Sequence, residues 1–295
     1  MKLINRIPGP LLIFLGAFCL SFGGLIVKSF ESANLWQILF WRQIFFAIVV
    51  ALYLLISYKK NFFKSFYNSG LSGFIAGFIL SIGFSAYVFS MYTTTVANTN
   101  FIITTETIFF AVFGYLFLKE KIALITFISI IIGMLGVLLI LGSSLSIQSN
   151  EQLVGNIVAF LTPISLVILV IIIRKSPNID MVPAQFIAGV LSAIIGYFIA
   201  GELSVSPHDL FLASLAGFFQ IGFGFILITI GSQSTPSATV GILMLTEAVF
   251  GPLWAWLFIS ETPTFSVLIG GGIIMFSILL QSFYSKKISN QNFVS

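Results

Sequence analysis

About ten runs of roughly twenty apolar residues, joined by short polar connections, leave this chain one kind of place to fold. A helix rising ~1.5 Å per residue needs about twenty residues to cross ~30 Å of hydrocarbon. The runs fall at 9–27, 36–57, 70–92, 96–118, 122–142, 153–173, 182–201, 209–230, 237–259 and 264–284. Hydrophobic residues make up 58% of the chain and charged residues 7%, so a soluble fold would have nowhere to hide its apolar surface. The alternating pattern of a transmembrane barrel is absent, which leaves an all-α membrane protein with ten spans. Lys2 and Arg6 precede the first run in the manner of a signal peptide, but no convincing cleavage site follows, and we read it as a retained helix.

The chain also repeats itself. A shift of 141 residues superposes Ala97 on Ala238, Thr105 on Thr246, Glu106 on Glu247, Leu116-Phe117 on Leu257-Phe258, Glu120 on Glu261 and Met134 on Met275. The register holds without a gap for about forty residues, the mark of a duplicated unit. We divide the chain into a first repeat, 1–145, and a second, 146–295. Lys and Arg fix the expected orientation. With a cytoplasmic N-terminus, Lys2, Arg6, Lys59, Lys60, Lys64, Lys119, Lys121, Arg174, Lys175, Lys286 and Lys287 all lie inside, and Lys28 alone lies outside. Both termini are then cytoplasmic, as suits a multi-pass protein of a bacterial inner membrane. Five spans per repeat is an odd number, so the second copy must be inserted upside down. The sequence therefore predicts an inverted-topology repeat, which places a site near the midplane.

Charge inside the membrane locates that site. Glu106 and Glu247 each stand near the centre of a span, behind Thr105 and Thr246, at one depth in oppositely running helices. An ionisable side chain at that depth is rare without a use. Two carboxyls beside one arginine leave a negative charge unbalanced, so one takes a proton or a cation. Arg42 lies six residues, ~9 Å, below the outer start of its span. It either pairs structurally with a glutamate or binds an anionic part of a substrate while the glutamates bind a cationic part, which suits a zwitterion. Asn98, Ser85, Tyr92 and Gln220 are the polar residues expected to complete the site. Glu120 and Glu261 fall at span ends and read as helix-end contacts or gates.

Other chemistry is excluded by composition. Cys19 is the single cysteine and reads as a packed thiol, while His208, between Pro207 and Asp209, reads as a helix-entry residue; no metal cluster or cofactor motif is present. An intramembrane enzyme would need a nucleophile with a base, which the chain lacks, and a channel would not need mirrored acids. The net charge of +4 follows from the inner loops and needs no nucleic acid. Partners expected are a small-molecule substrate, a coupling proton or exchange substrate and the bilayer, with the chain a monomer or homodimer.

The segments Thr105–Glu120 and Thr246–Glu261 resemble the fourth-helix signature of the EamA repeat, in which an acidic position leads through small and aromatic residues to a closing glutamate. Thr107 and Ala248 stand where that signature commonly has proline, and Lys119 and Ser260 replace its glycine before the final glutamate. The resemblance covers essentially the whole chain and is to the drug/metabolite transporter superfamily. It implies two five-helix repeats, with helices 1–4 and 6–9 around a cavity and helices 5 and 10 outside. It also implies export or uptake of a small polar solute by alternating access without ATP. Members carry amino acids, nucleosides, vitamins and polyamines; the charges here favour an amino acid or similar zwitterion, with a cationic amine or another small metabolite such as a nucleoside or vitamin as the alternative.

Overall fold

The computed structural model describes residues 7–141, 149–260 and 264–292, so Glu261 lies outside the described residues. Among those described every element is helical. In chain order they are α1 Gly9–Leu20, α2 Gly23–Lys28, α3 Leu35–Tyr58, a 3-10 turn Lys59–Asn61, α4 Phe62–Thr93, α5 Val96–Thr104, α6 Glu106–Leu118, α7 Leu124–Leu141 and α8 Asn150–Ala159. There follow α9 Leu161–Lys175, α10 Val182–Ala200, α11 Pro207–Leu215, a π-helical segment Ala216–Phe223, α12 Gly224–Ser232, α13 Ser237–Met244, α14 Thr246–Ile259 and α15 Phe265–Asn292.

Eight helical stretches are long and apolar enough to cross a membrane, and Leu124–Ile140 is a shorter apolar helix. The count falls two below the ten runs read from sequence because 35–93 forms one stretch of 59 residues and Leu124–Ile140 is too short to be counted. That stretch is interrupted twice, at Lys59 with φ 49° and at Gly70 with φ 55° and ψ −153°. Backbone at such angles cannot continue an α-helix, and at Gly70 the missing Cβ makes the conformation accessible.

Local chemistry sets the helix starts. Asn34 caps α3, accepting from the Trp36 and Gln37 backbone N–H groups while Gln37 returns a bond to the Asn34 N–H. Thr95 caps α5, Ser149 caps α8 and Ser206 caps α11, whose first residue is Pro207. Large apolar side chains such as Ile56, Phe63, Leu71, Phe198 and Phe265 stand exposed on the outside, where acyl chains would solvate them.

Two ends can be distinguished. One, the basic end, joins residues 58–65, 118–122, 174–180 and 233–237. There Tyr58 donates to Asp180 at 2.8 Å, and burial holds the Asp180 carboxyl above its ordinary range against the hydrogen bonds from Val182 and Tyr58. The opposite end joins 28–37 to 200–209. Asp209, buried, accepts from the Glu31, Ser32 and Ala33 backbone N–H groups and from the Ser32 hydroxyl, while Gln37 and Trp41 donate to carbonyls of Glu202, Leu203 and Ser204. His208 sits 3.2 Å from the Ser29 carbonyl, at the entry to α11.

Close helix approaches depend on glycine. Gly136 lies against Gly270 and Ile274, Gly270 against Ile140, and Gly133 against Ser277, so α7 and α15 pack antiparallel. Gly189 meets Phe46 and Ala47 while Gly196 meets Phe40, so α3 and α10 are antiparallel as well. Gly9 lies against Gly231 and Gly16 against Gly224, which sets α1 antiparallel to α12. Lipid tails are as apolar as leucine, so helix association rests on such small-residue packing rather than on hydrophobic burial. Aromatic contacts add to it: Phe46, Phe84 and Phe225 form an edge-to-face trio with centroids 4.9–6.2 Å apart, each pair contributing about 0.5–1.5 kcal/mol.

Candidate functional site

Glu106 and Glu247 occupy matching breaks in two helices. At Thr105 and at Leu245 the backbone tightens to i→i−3 bonds: Thr105 N–H donates to Ile102 and Ile108 N–H to Thr105, just as Leu245 N–H donates to Ile242 and Ala248 N–H to Leu245. Each glutamate thus falls in the first turn of the following helix, α6 or α14, where the helix dipole favours negative charge. Val96 begins α5 at the end away from the basic residues, and Glu106 lies ten residues, ~15 Å, along it. Ser237 begins α13 at the basic end, and Glu247 lies ten residues, ~15 Å, along that opposite course. Both carboxyls therefore reach the middle of the bundle, where they line the same cavities. Thr107 donates to the Gly241 carbonyl at 3.0 Å and ties the two helices together there.

The pair forms the boundary between two cavities. The inner chamber, about 50 Å³, is lined by Arg42, Tyr87, Glu106, Ser165, Gln220 and Glu247, with Phe84 and Phe225 as its floor toward the basic end. That volume holds roughly four waters. The second cavity, about 230 Å³, is a vestibule lined by Ser21, Gly24, Lys28, Asn100, Thr104, Gly251 and Ala255, and it shares Glu106 and Glu247 with the chamber. Its other residues run from the midplane toward Lys28 and Val96, so it faces the end opposite the basic one.

Arg42 is buried, at 4% exposure, yet makes no ion pair with any described residue. Its guanidinium carbon lies 5.0 Å from the centroid of the Tyr87 ring, and its Nε has no hydrogen-bond partner. The structural ion pair considered from the sequence is thus not formed. Tyr87 was not singled out by sequence reasoning, because one tyrosine among eight in an apolar chain carries no signal of its own. Gln220 is carried by the π-helical segment and donates to the Leu20 carbonyl at 3.3 Å, a group freed by the gap between α1 and α2. π-Helical turns are rare and concentrate at functional positions.

The remaining expected residues lie elsewhere. Thr105 donates to the Ile102 carbonyl at 2.5 Å, and Thr246 is fully buried with an unpartnered hydroxyl. Asn98 donates to Thr94 near the end of the bundle. Ser85 donates to the Ser81 carbonyl, and Tyr92 donates to the Ala33 carbonyl at 3.4 Å and borders a small separate cavity behind Arg42. None of these five lines the chamber. Cys19 is buried. Trp254 packs among Phe18, Phe22 and Phe250 and donates to Ser21. No chamber residue comes from α7, α10 or α15.

Below the chamber a polar clamp spans the basic end. Glu120 Oε1 accepts from Arg174 Nε at 3.0 Å and Nη2 at 2.7 Å, its Oε2 accepts from the Ser237 backbone N–H at 2.8 Å, and Arg174 Nη1 donates to the Gln233 carbonyl at 3.2 Å. The clamp joins the end of α6 to the end of α9 and to the turn between α12 and α13. Lys119 reaches it in a left-handed conformation, φ 57° and ψ 28°, and its counterpart Ser260 has φ 56° and ψ 23°. The register read from sequence is thus repeated in the backbone, at the two positions where glycine would be expected.

The sequence profile described as the EamA-like transporter family matches residues 7–142 and again 152–283. An uncharacterized transporter of Methanothermobacter thermautotrophicus is 30% identical over 196 residues, a match spanning 62% of this chain and 55% of that relative. One from Clostridium kluyveri is 24% identical over 227 residues, spanning 72% of this chain and 73% of the relative. A crystal structure described only as that of a protein superposes with a TM-score of 0.77 at 14% identity, over 95% of this chain and 98% of the other, which is a likeness of fold.

Proposed function

Because the chain belongs to the EamA-like transporter family, we propose that it is a secondary transporter moving a small zwitterionic metabolite, an amino acid first among them, across the bacterial inner membrane by alternating access. The observation that carries the substrate class is Arg42: a buried cation without a carboxylate partner among the described residues, lining the same chamber as two carboxyls. A ligand with an anionic and a cationic end satisfies both kinds of charge at once, and leaving either unpaired in a buried chamber is expensive. The alternative, a cationic amine, draws on the excess of two carboxyls over one guanidinium.

Ten crossings in two inverted repeats underlie this reading. The 59-residue stretch is broken twice, and Leu124–Leu141 is long enough to cross with modest thinning of the bilayer. Helices that occupy the same place in the two repeats, α3 and α10, and α7 and α15, run antiparallel, as inversion requires. With the basic end placed in the cytoplasm, the vestibule opens outward and the Glu120–Arg174 clamp seals the inside. Exchange of the two repeats carries the vestibule walls, formed by α2, α5 and α14, onto the region of α9, α13 and α6, which is where the clamp sits. The clamp therefore closes the path that the vestibule would become in the opposite state, and Glu120 takes the part of an inner gate. Transport rather than catalysis is the function of the buried acids.

Purified protein in liposomes loaded with a mixed pool of unlabelled amino acids tests the proposal through uptake of a labelled pool. Saturable counterflow is expected, competed by zwitterions more strongly than by methylammonium. Flux that rises linearly with concentration would indicate a channel and end the carrier reading; competition by methylammonium alone would transfer it to amines.

A further inference from the structure

We infer that Tyr87 is a positioning residue of the anion subsite: its ring holds the Arg42 guanidinium away from Glu106 and Glu247, so that the empty chamber does not neutralise itself. The inference rests on the reading of Arg42 as the residue that meets a substrate anion. Arg42, Glu106 and Glu247 all line one chamber of about 50 Å³. In the low-dielectric interior of the bundle, opposite charges that line one cavity attract, and a flexible arginine would be expected to turn toward a carboxylate. Yet no described carboxylate lies within ion-pairing distance of Arg42. What occupies it instead is the Tyr87 π face, 5.0 Å from the guanidinium carbon. A desolvated contact of this kind is strong enough to hold a cation in place, yet it leaves the guanidinium N–H donors unspent, because a ring face accepts charge without taking up the forked hydrogen bonds a carboxylate would use.

The ring itself is fixed. Tyr87 is 7% exposed, and Gly23, at the start of α2, passes so close that a Cβ there would stand 2.9 Å from the Tyr87 hydroxyl and 2.5 Å from Gln220 Nε2. The gap between α1 and α2, the π-helical segment carrying Gln220 and the glycine at position 23 thus converge on the tyrosine. Without the ring, Arg42 would fall onto a glutamate, and a substrate anion would have to displace that carboxylate before binding.

The test uses the full chain in detergent with acetate as the anion probe and glycine as the zwitterion probe, binding being read by calorimetry. Tyr87→Phe keeps the ring and is expected to bind acetate as the native protein does. Tyr87→Leu and Tyr87→Met remove it and are expected to weaken acetate about thirtyfold, the factor that a desolvated cation–π contact represents. Adding Glu106→Gln or Glu247→Gln to Tyr87→Leu removes the competing carboxylate and is expected to restore acetate binding, a rescue that a merely structural tyrosine would not show. Undiminished acetate binding in both ring-less variants, or no rescue by either glutamine, overturns the inference. A structure of the ring-less variant decides it independently of any ligand. Arg42 within 4 Å of a glutamate supports the inference, and Arg42 unmoved refutes it. If the native protein binds neither probe, the substrate reading fails while that distance still judges Tyr87. Should neither ring-less variant fold, Gly23→Ala, which displaces the ring edge from outside, is judged by the same distance.

Discussion

Glu120→Ala should tip the protein toward an inward-open state, and the size of the effect follows from the clamp. The side chain accepts two charge-assisted bonds from Arg174 and one from the Ser237 N–H. Exposed ion pairs contribute about 0–1 kcal/mol, whereas removing one partner of a fully buried pair costs about 3–5 kcal/mol. The two side chains here are 22% and 20% exposed, which places the loss at about 2–3 kcal/mol. On the proposed gate reading these bonds are made only while the basic end is shut, because opening it gives each group to water. The loss therefore falls on the closed state alone and shifts the equilibrium about 30- to 150-fold. The assay is maleimide labelling, with a membrane-impermeant reagent, of single cysteines in a Cys19→Ala background. Val240→Cys reports the sealed path, since Val240 is fully buried one turn from Ser237 toward the chamber, and Ala255→Cys reports the vestibule. Glu120→Ala should raise labelling of Val240→Cys from the basic side at least tenfold and lower labelling of Ala255→Cys from the other side. Unchanged rates would show that the clamp does not hold the gate. A rise at both positions would mean that the bundle has loosened rather than switched, and would refute the argument equally.

Glu106→Gln and Glu247→Gln should each lower counterflow more than tenfold while leaving the folded yield intact, and full transport with unaltered pH dependence in both would remove the pair from the mechanism. Lys119→Gly and Ser260→Gly relieve left-handed backbone and should each stabilise the protein by about 0.5–1 kcal/mol, seen as a rise in apparent melting temperature; a fall for both would show that the side chains matter more than the conformation. Burial raises the Asp180 carboxyl above its ordinary value, so its contribution to stability is complete below the ordinary carboxylate range and is lost as pH rises through the raised value. Asp180→Asn should flatten that loss in melting curves taken across the acid range, and identical pH profiles would contradict it.

The bundle was legible in the sequence because the bilayer reduces the problem to run lengths: in the described residues the runs coincide with helical stretches, and the 141-residue register reappears in the left-handed pair Lys119 and Ser260, with the helix breaks at Thr105 and Leu245 one residue out of step. The carboxyl pair and Arg42 were legible for the same reason, since charge at membrane depth is too costly to be incidental. What escaped has a common physical character. Arg174 read as one more inside-positive residue, although it is the partner of Glu120; a cation at a span end satisfies the topology rule whether or not it closes a gate. Tyr87 is invisible because a ring that meets a cation and a ring that packs against leucine look alike in one chain. The π-helical segment left only the trace of Gln220 among Gly217, Gly222 and Gly224, where small residues admit a wider turn.

Symmetry separates the parts that move from the parts that choose. The glutamates, the breaks beside them and the left-handed helix ends occur in both repeats, as they must if the two halves exchange roles between an outward and an inward state. Arg42 occurs once: α10, which stands in the second repeat where α3 stands in the first, contains no charged residue. Tyr87 and Gln220 are also unpaired, since residues 207–232, opposite α4, include no tyrosine, and α4 carries no glutamine. A substrate could be recognised by duplicated groups alone only if it were itself nearly symmetric. On the proposed reading, an anion subsite present in one repeat gives the ligand a head and a tail, and because Arg42 belongs to α3 it would stay with the first repeat as the halves rock. Moving an arginine into α10 while Arg42 is removed would thus reverse the ligand in the chamber rather than abolish the chamber. The carboxyl pair, equivalent under the exchange, would meet the cationic end from either direction.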